Sequence, residues 1–395
     1  NLYFSFKIWD LISEKYENKS IVSLCITFIC TYSFFFVAIQ GGNLSEEYSL
    51  PFITICFYLF VRYALNCEEK PEHPYAYALF YGISFTCMAF MRVNNAIPVV
   101  AGVFAIFCYL IYRKAIKSII MNVVFGLLGC IVATVPFVLY FIQKDALYDM
   151  IYATFLYNFK YASNVGAGSL LNNPINTLLK FFVIIISVII MVTGLIKTKK
   201  EKKLMFMDFF TIVVVSVNVL CLLVINQYLH YFLLYVPILL IVLSAYWRYD
   251  TSKIKTAGVM LCIAIYCLSM GYSFIANVKL NYVTKDVVIK SAEIREMAEK
   301  IPEDEKDSVL GFEIPAENYI RAGIMPCYKY YTYQSWWSKN DPSIMESYLE
   351  YVDEEKPKWL LVNPSACDKE MQEFILDRYE LTDNNEYIYC FHLKE

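Results

Sequence analysis

Long apolar runs broken by short polar segments cover most of the chain up to residue 277. They fall at roughly 20–40, 50–66, 75–91, 96–112, 118–142, 177–197, 204–225, 230–247 and 255–277. Each approaches the ~20 residues an α-helix needs to cross a bilayer. Backbone groups in lipid must be paired within their own segment, so the runs predict helices. The opening stretch NLYFSFKIW reads as the tail of a further helix, which brings the expectation to about nine to ten transmembrane helices. The alternating strands of about ten residues that mark an outer-membrane barrel do not occur.

From about residue 278 the texture changes. VVIKSAEIREMAEKI has helical periodicity, as do SIMESYLEYVDEE and DKEMQEFILDRY, whereas SVLGFE, YKYYTY, WLLVN and YIYCFHL read as strands. Strands alternating with helices predict a small α/β layer with a partly parallel sheet. The expected organisation is therefore a polytopic helical membrane domain over 1–277 and a small extracytoplasmic α/β domain over 278–395. The chain begins at Asn1 without an initiator Met. NLYFS runs straight into FKIWDLISEKYENK, which reads as a helix end and a charged loop, so the expectation is a natural sequence shortened at its N-terminus.

Charge orients the pattern. Lys15 and Lys19, then Arg62 and Lys70, then Arg113, Lys114 and Lys117, then KTKKEKK at 197–203, then Arg248, Lys253 and Lys255 fall in alternate loops. The loops between hold mainly Arg92, Lys144 and Lys160. Basic loops stay on the cytoplasmic side. The loop around Glu46 and the C-terminal domain are then extracytoplasmic, in the cell membrane of a multi-pass protein. Residues 278–395 hold 14 Lys and Arg against 24 Asp and Glu, a net of −10, while the remainder carries +7. The basic residues flank apolar runs and suggest no nucleic-acid partner. Composition agrees with a membrane protein: 58% hydrophobic, 17% aromatic, mean hydropathy +0.46. Of 13 cysteines, ten lie in or beside apolar runs, where Cys behaves as a small hydrophobe. Cys327, Cys367 and Cys390 fit no zinc spacing, and no metal-ligand cluster stands out.

The polar groups able to do chemistry gather on the extracytoplasmic side. GGNLSEEYSLP carries Asn43, Ser45, Glu46 and Glu47; MRVNNAIP carries Arg92 and Asn94; NQYLHYF carries Tyr228, His230 and Tyr231. The bland reading of Glu46 and Glu47 is a helix first turn, where acids favour the dipole, with Asn43 or Ser45 as cap. Arg92 runs against the charge rule, and an ionisable residue at such a position has a partner or a ligand. A salt bridge to Glu46 or Glu47 is its structural reading. His230 reads equally as a hydrogen-bonding interfacial aromatic. The expectation is that Glu46 or Glu47, Arg92 and His230 share one site at the outer membrane boundary.

The order of these elements resembles the C-type superfamily of membrane glycosyltransferases, which use polyprenyl-phosphate sugars and include protein O-mannosyltransferases and aminoarabinose transferases. The likeness rests on Gly41, Gly42, Asn43, Ser45, Glu46, Glu47, Tyr48 and Pro51 in the first motif, Arg92 and Asn94 in the second, YLHYFLLYVP in the third and KPKWLLVN with YIYCFHL in the tail. The resemblance implies transfer of a sugar from a polyprenyl-phosphate donor to an extracytoplasmic glycan, lipid or protein. Glu46 and Glu47 would be catalytic, and Asn43, Arg92, Asn94, Tyr228, His230 and Tyr231 would bind substrate. Arg92 would stabilise the leaving lipid phosphate. The superfamily's principal acid lies in a first outer loop that has no counterpart here, so the general base is expected upstream of Asn1. Some members need a divalent metal and others do not. Two rival classes are a polyprenyl-linked glycan polymerase or ligase, and a transporter or non-catalytic membrane protein; the latter calls for internal repeats and broken midplane helices.

Overall fold

A computed structural model of the 395-residue chain describes residues 1–15, 20–38, 43–164, 185, 206–224, 229–246, 268, 271–272, 275, 290–315, 318, 322–325, 327–330 and 332–394. It divides into two compact units. The first holds Asn1–Asn158 and Val165–Phe274, the second Phe159–Asn164 and Ile275–Glu395.

In the first unit, α1 (Leu2–Lys15), α2 (Ile21–Ala38), α3 (Ser45–Ala64), α4 (Tyr75–Met91), α5 (Ile97–Tyr112), α6 (Ile116–Gln143), α9 (Phe206–Val224) and α10 (Val236–Tyr246) form a helical bundle. Between them come α7 (Leu147–Ile151) and, assigned to the second unit from Phe159, α8 (Tyr157–Asn164). The bundle is built around α3, whose Ile53, Phe57, Phe60 and Val61 are fully buried. Phe57 and Phe60 meet Phe210 of α9 at ring distances of 6.4 and 5.7 Å. Helices α4 and α6 approach to backbone contact. A Cβ added to Gly82 would lie 2.0 Å from the Gly126 carbonyl oxygen, and one on Gly129 would lie 2.1 Å from that of Leu79. Only residues without side chains permit such an approach.

The span count differs from the sequence expectation. Among the described residues two helices are long and apolar enough to cross a membrane, Val93–Tyr112 with 20 residues and Ile116–Gln143 with 28, in place of nine to ten. Tyr75–Met91, Phe206–Cys221 and His230–Ser244 are apolar but shorter. At about 1.5 Å per residue, helices of 17 residues or fewer reach at most about 26 Å, short of a hydrocarbon layer of about 30 Å. The runs at 177–197 and 255–277 lie almost wholly outside the described residues. The physical reason is that an apolar run reports burial and not the medium that provides it: a helix wrapped by other helices needs the composition of one wrapped by lipid. Helix α3 is the first kind. Helix α6 has the length and the exposed apolar surface for the second, with Ile120, Val124, Leu127, Ile131 and Leu139 all exposed and only Ser118, Asn122 and Gly129 buried.

The second unit carries a four-stranded sheet of β1 (Val309–Phe312), β2 (Trp359–Val362), β3 (Tyr379–Asn384) and β4 (Tyr389–Leu393), in the order β1-β2-β4-β3. β1 and β2 are parallel; β2 with β4 and β4 with β3 are antiparallel. A helix over 290–299, α11, precedes the sheet. α12 (Ser343–Glu355) lies in the β1–β2 connection and α13 (Lys369–Arg378) in the β2–β3 connection. Asp368 caps α13 by accepting from the Met371 N–H at 2.9 Å. Two strand expectations change. YKYYTY is not a strand: it contributes a single bridge, Tyr333 to Phe312. YELTDN, which carries no alternation, is one, held at the sheet edge with Tyr379 buried and most of the rest in water.

Candidate functional site

The chain enters α3 through Asn43, whose φ of 63° lies in the left-handed region. Asn tolerates that conformation better than most residues. Its Oδ1 accepts from the Tyr48 hydroxyl at 2.8 Å. The cap itself is Leu44, with no side-chain hydrogen bond, and not Asn43 or Ser45 as the sequence suggested. The uncapped first turn places Glu46 and Glu47 where the helix dipole favours a carboxylate.

Glu46 turns inward and is 1% exposed. Its Oε2 accepts from the Ser45 hydroxyl at 3.1 Å, and its Oε1 pairs with Arg92 Nη1 at 3.4 Å. Arg92 is where α4 ends: its φ of −169° is extended, and a 3-10 turn over Val93–Ala96 follows. A charged side chain is thereby carried off the helix axis towards α3. Its guanidinium carbon stands 4.8 Å from the centre of the Tyr231 ring. Tyr231 is buried, in the 3-10 segment Leu229–Tyr235 that leads into α10. The His230 ring lies 4.7 Å from that of Tyr231. Burial pushes the His230 imidazole below its ordinary pKa; the nearby Glu46 opposes that shift and Arg92 adds to it.

Glu46, Arg92, His230 and Tyr231 thus come together in the first unit. Arg92 is 33% exposed, and among the described residues only its Nη1 has a hydrogen-bond partner, so most of its five N–H donors remain for something else. Glu47 sits one residue further round α3, with a buried Oε1 that has no hydrogen-bond partner among the described residues. Asn94 lines a narrow cleft together with Tyr231, Asn218 and Tyr235. Tyr228 lies outside the described residues.

Sequence reasoning passed over Asn95. It is fully buried, its Nδ2 donates to Ser49 Oγ at 2.9 Å, and its Oδ1 is left without a partner. Ser49 Oγ in turn donates to the Ser45 carbonyl at 2.8 Å, so Asn95 ties the turn after Arg92 to the first turn of α3. Nothing in the pair Asn94–Asn95 distinguishes the two by type; the phase of the 3-10 turn does. Among the described residues no group of three or more His, Cys, Asp or Glu side chains is placed to hold a metal ion.

The cluster can hold an anion at Arg92, beside buried aromatic surface; nearby in the chain, Asn95 Oδ1 can accept a hydrogen bond and the Glu47 carboxylate a hydrogen bond or a proton. Comparison with protein-family models, with curated proteins and with solved structures finds no match, so the resemblance rests on the residues named above.

Proposed function

We propose that the chain is a membrane-bound glycosyltransferase that moves a sugar from a polyprenyl-phosphate donor to an extracytoplasmic acceptor. The observation that carries this reading is Arg92: a cation fixed by a buried carboxylate and a tyrosine face, with most of its donors unmatched. Such a group suits an oxygen that gains negative charge as a bond breaks. In the transfer, an acceptor hydroxyl oxygen bonds to the anomeric carbon, the bond from that carbon to the phosphate oxygen breaks, and the lipid phosphate leaves with the electron pair. The hydroxyl proton goes to a carboxylate. The resemblance looks for that base upstream of Asn1; among the acids of this chain we assign the role to Glu47, whose Oε1 is buried and without a partner among the described residues. Glu46 is committed to Arg92 and serves to position it.

The orientation proposed with this function puts the Arg113–Lys117 turn on the cytoplasmic side, and the Arg92 end of α4 and the second unit outside, following the distribution of basic residues.

The test uses the purified full chain in lipid nanodiscs. Polyprenyl phosphate should bind, and Arg92→Gln should weaken that binding about tenfold or more, as loss of a charged partner to an anion does. Unchanged binding in Arg92→Gln would overturn the reading. Glu47→Gln should abolish turnover of a polyprenyl-phosphate sugar while leaving donor binding intact. Full turnover in that variant would assign the base elsewhere.

A further inference from the structure

A cavity of about 190 Å³ lies between α4, α5 and α6, away from the Arg92 cluster. Its walls include Phe85, Val100, Val103, Ile106 and Phe107. Two wall residues are open to the surroundings, Phe85 at 37% and Val100 at 49% exposed, so the cavity has a mouth framed by apolar side chains. A cavity of about 150 Å³ with such walls stays dry and takes hydrocarbon.

The polar end is sealed. His73 Nδ1 meets Asn122 Oδ1 at 2.6 Å, the Tyr81 hydroxyl approaches His73 Nε2 at 3.4 Å, and the His73 N–H donates to Ser118 Oγ at 3.2 Å. These polar atoms bind one another and leave the space beyond them to apolar matter.

What could fill it is set by its position. The mouth opens beside the exposed apolar length of α6, one of the two helices able to cross a membrane. Ser118, at the sealed end, lies in the first turn of α6 beside Lys117, close after Arg113 and Lys114 of the α5–α6 turn, and all three cations are exposed. Arg113 is also seven residues after Ile106, so it continues the lining face of α5 towards that end. Counting the last turn of α3 and the α3–α4 connection, Arg62 and Lys70 add two cations, and Glu68, Glu69 and Glu72 three acids. The cations exceed the acids, and the three nearest the cavity in sequence belong to the helices that line it. Basic residues at a membrane surface attract anionic headgroups.

We infer that this cavity holds a segment of one acyl chain of an anionic phospholipid, whose phosphate lies at the Arg113–Lys117 turn. The inference rests on the membrane reading of α5 and α6 and is independent of the transferase.

Native mass spectrometry of the purified full chain, equilibrated with phosphatidylglycerol or with phosphatidylcholine of the same acyl chains, tests it. One phosphatidylglycerol should be retained about tenfold more strongly than phosphatidylcholine. Val103→Trp, which fills the cavity, should lose that lipid. Because a tryptophan there could disturb folding, a second variant carries Arg113→Gln, Lys114→Gln and Lys117→Gln, all at exposed positions, and should bind the two lipids alike. Three results would overturn the inference: no preference in the parent protein, retention of the lipid in a folded Val103→Trp, or undiminished preference in the triple variant.

Discussion

His73 offers the sharpest test of the packing around α4. It lies in the segment between α3 and α4, outside the spanning helices, and is 2% exposed. Burial pushes its imidazole down to about 4, and the hydrogen bond to Asn122 Oδ1 only partly offsets this. The rings of Tyr63, Tyr77 and Tyr81 stand 4.7, 5.7 and 5.7 Å from it. In the unfolded chain the same group titrates near 6.5. The folded state therefore binds fewer protons than the unfolded state between those values, and stability falls as the pH drops through 6.5 towards 4. Integrating to pH 4.5 gives a loss of about 2–3 kcal/mol relative to neutral pH from this group alone. Carboxylates also titrate in that range, so the measurement must be a difference. Thermal unfolding of the parent and of His73→Gln, in the same detergent at pH 7.5 and pH 4.5, isolates the histidine. Glutamine cannot be protonated there, so the variant should start less stable at pH 7.5, having lost the fit to Asn122, and should lose less on acidification. Parallel losses in the two proteins would refute the claim that His73 is buried and neutral.

Three further outcomes follow from contacts elsewhere. Arg92→Ala should destabilise the first unit by about 2–3 kcal/mol, because it leaves the buried Glu46 carboxylate without its cation, whereas Glu46→Gln should cost about 1 kcal/mol, since Arg92 is exposed enough to be rehydrated; chemical denaturation of both variants decides, and the reverse order would refute the burial argument. Gly82→Ala should cost about 1–3 kcal/mol, because its Cβ would stand 2.0 Å from a backbone oxygen, while Gly126→Ala, whose nearest neighbour would be 3.8 Å away, should be tolerated in the same thermal assay. Asp368→Ala should cost the second unit about 1 kcal/mol through loss of the α13 cap, read from the unfolding of that unit.

How much of this could be read from the chain depends on which physical quantity each residue reports. Opposite charges beside apolar runs were informative: an arginine at a helix end without a counter-charge is costly to desolvate, and Glu46 is where the pairing argument placed a partner. The number of spans was not legible, because composition records that α3 is buried and not that protein buries it. Neither was β3, since an edge strand with one buried residue shows no alternation. His73 was missed because CEEKPEHP reads as a solvated loop. The available signal was elsewhere, in Asn122, a polar side chain within the apolar run IIMNVVF. Such a residue needs a partner, and His73 is the one it has.

The two polar clusters of the first unit differ in a way that separates stability from function. Around His73 the polar atoms are satisfied internally: its N–H donates to Ser118, its carbonyl accepts from Asn122, and its two ring nitrogens meet Asn122 and Tyr81. A network closed in this way has nothing left to offer a ligand, and its removal should be felt as lost stability. The elements that carry Arg92 and its acid leave polar atoms open. Among the described residues, Glu47 Oε1 on α3 and Asn95 Oδ1 in the turn after Arg92 are buried without partners, and the arginine engages its acid through one nitrogen. Buried acceptors without donors cost a protein about 1–3 kcal/mol each. A fold retains such a cost where another molecule supplies the missing partners. Under the proposed function, those partners would come from a ligand that is an anion and also carries hydroxyl donors, as a phosphorylated sugar is. The same contrast sets what the variants should show. His73→Gln should move the unfolding temperature and leave polyprenyl-phosphate binding unchanged. Asn95→Ala should weaken binding of a polyprenyl-phosphate sugar more than it lowers stability, because one of its two amide atoms does no work in the free protein. Loss of binding in His73→Gln, or unaltered binding in Asn95→Ala, would show that satisfaction of polar groups does not divide the two clusters by role.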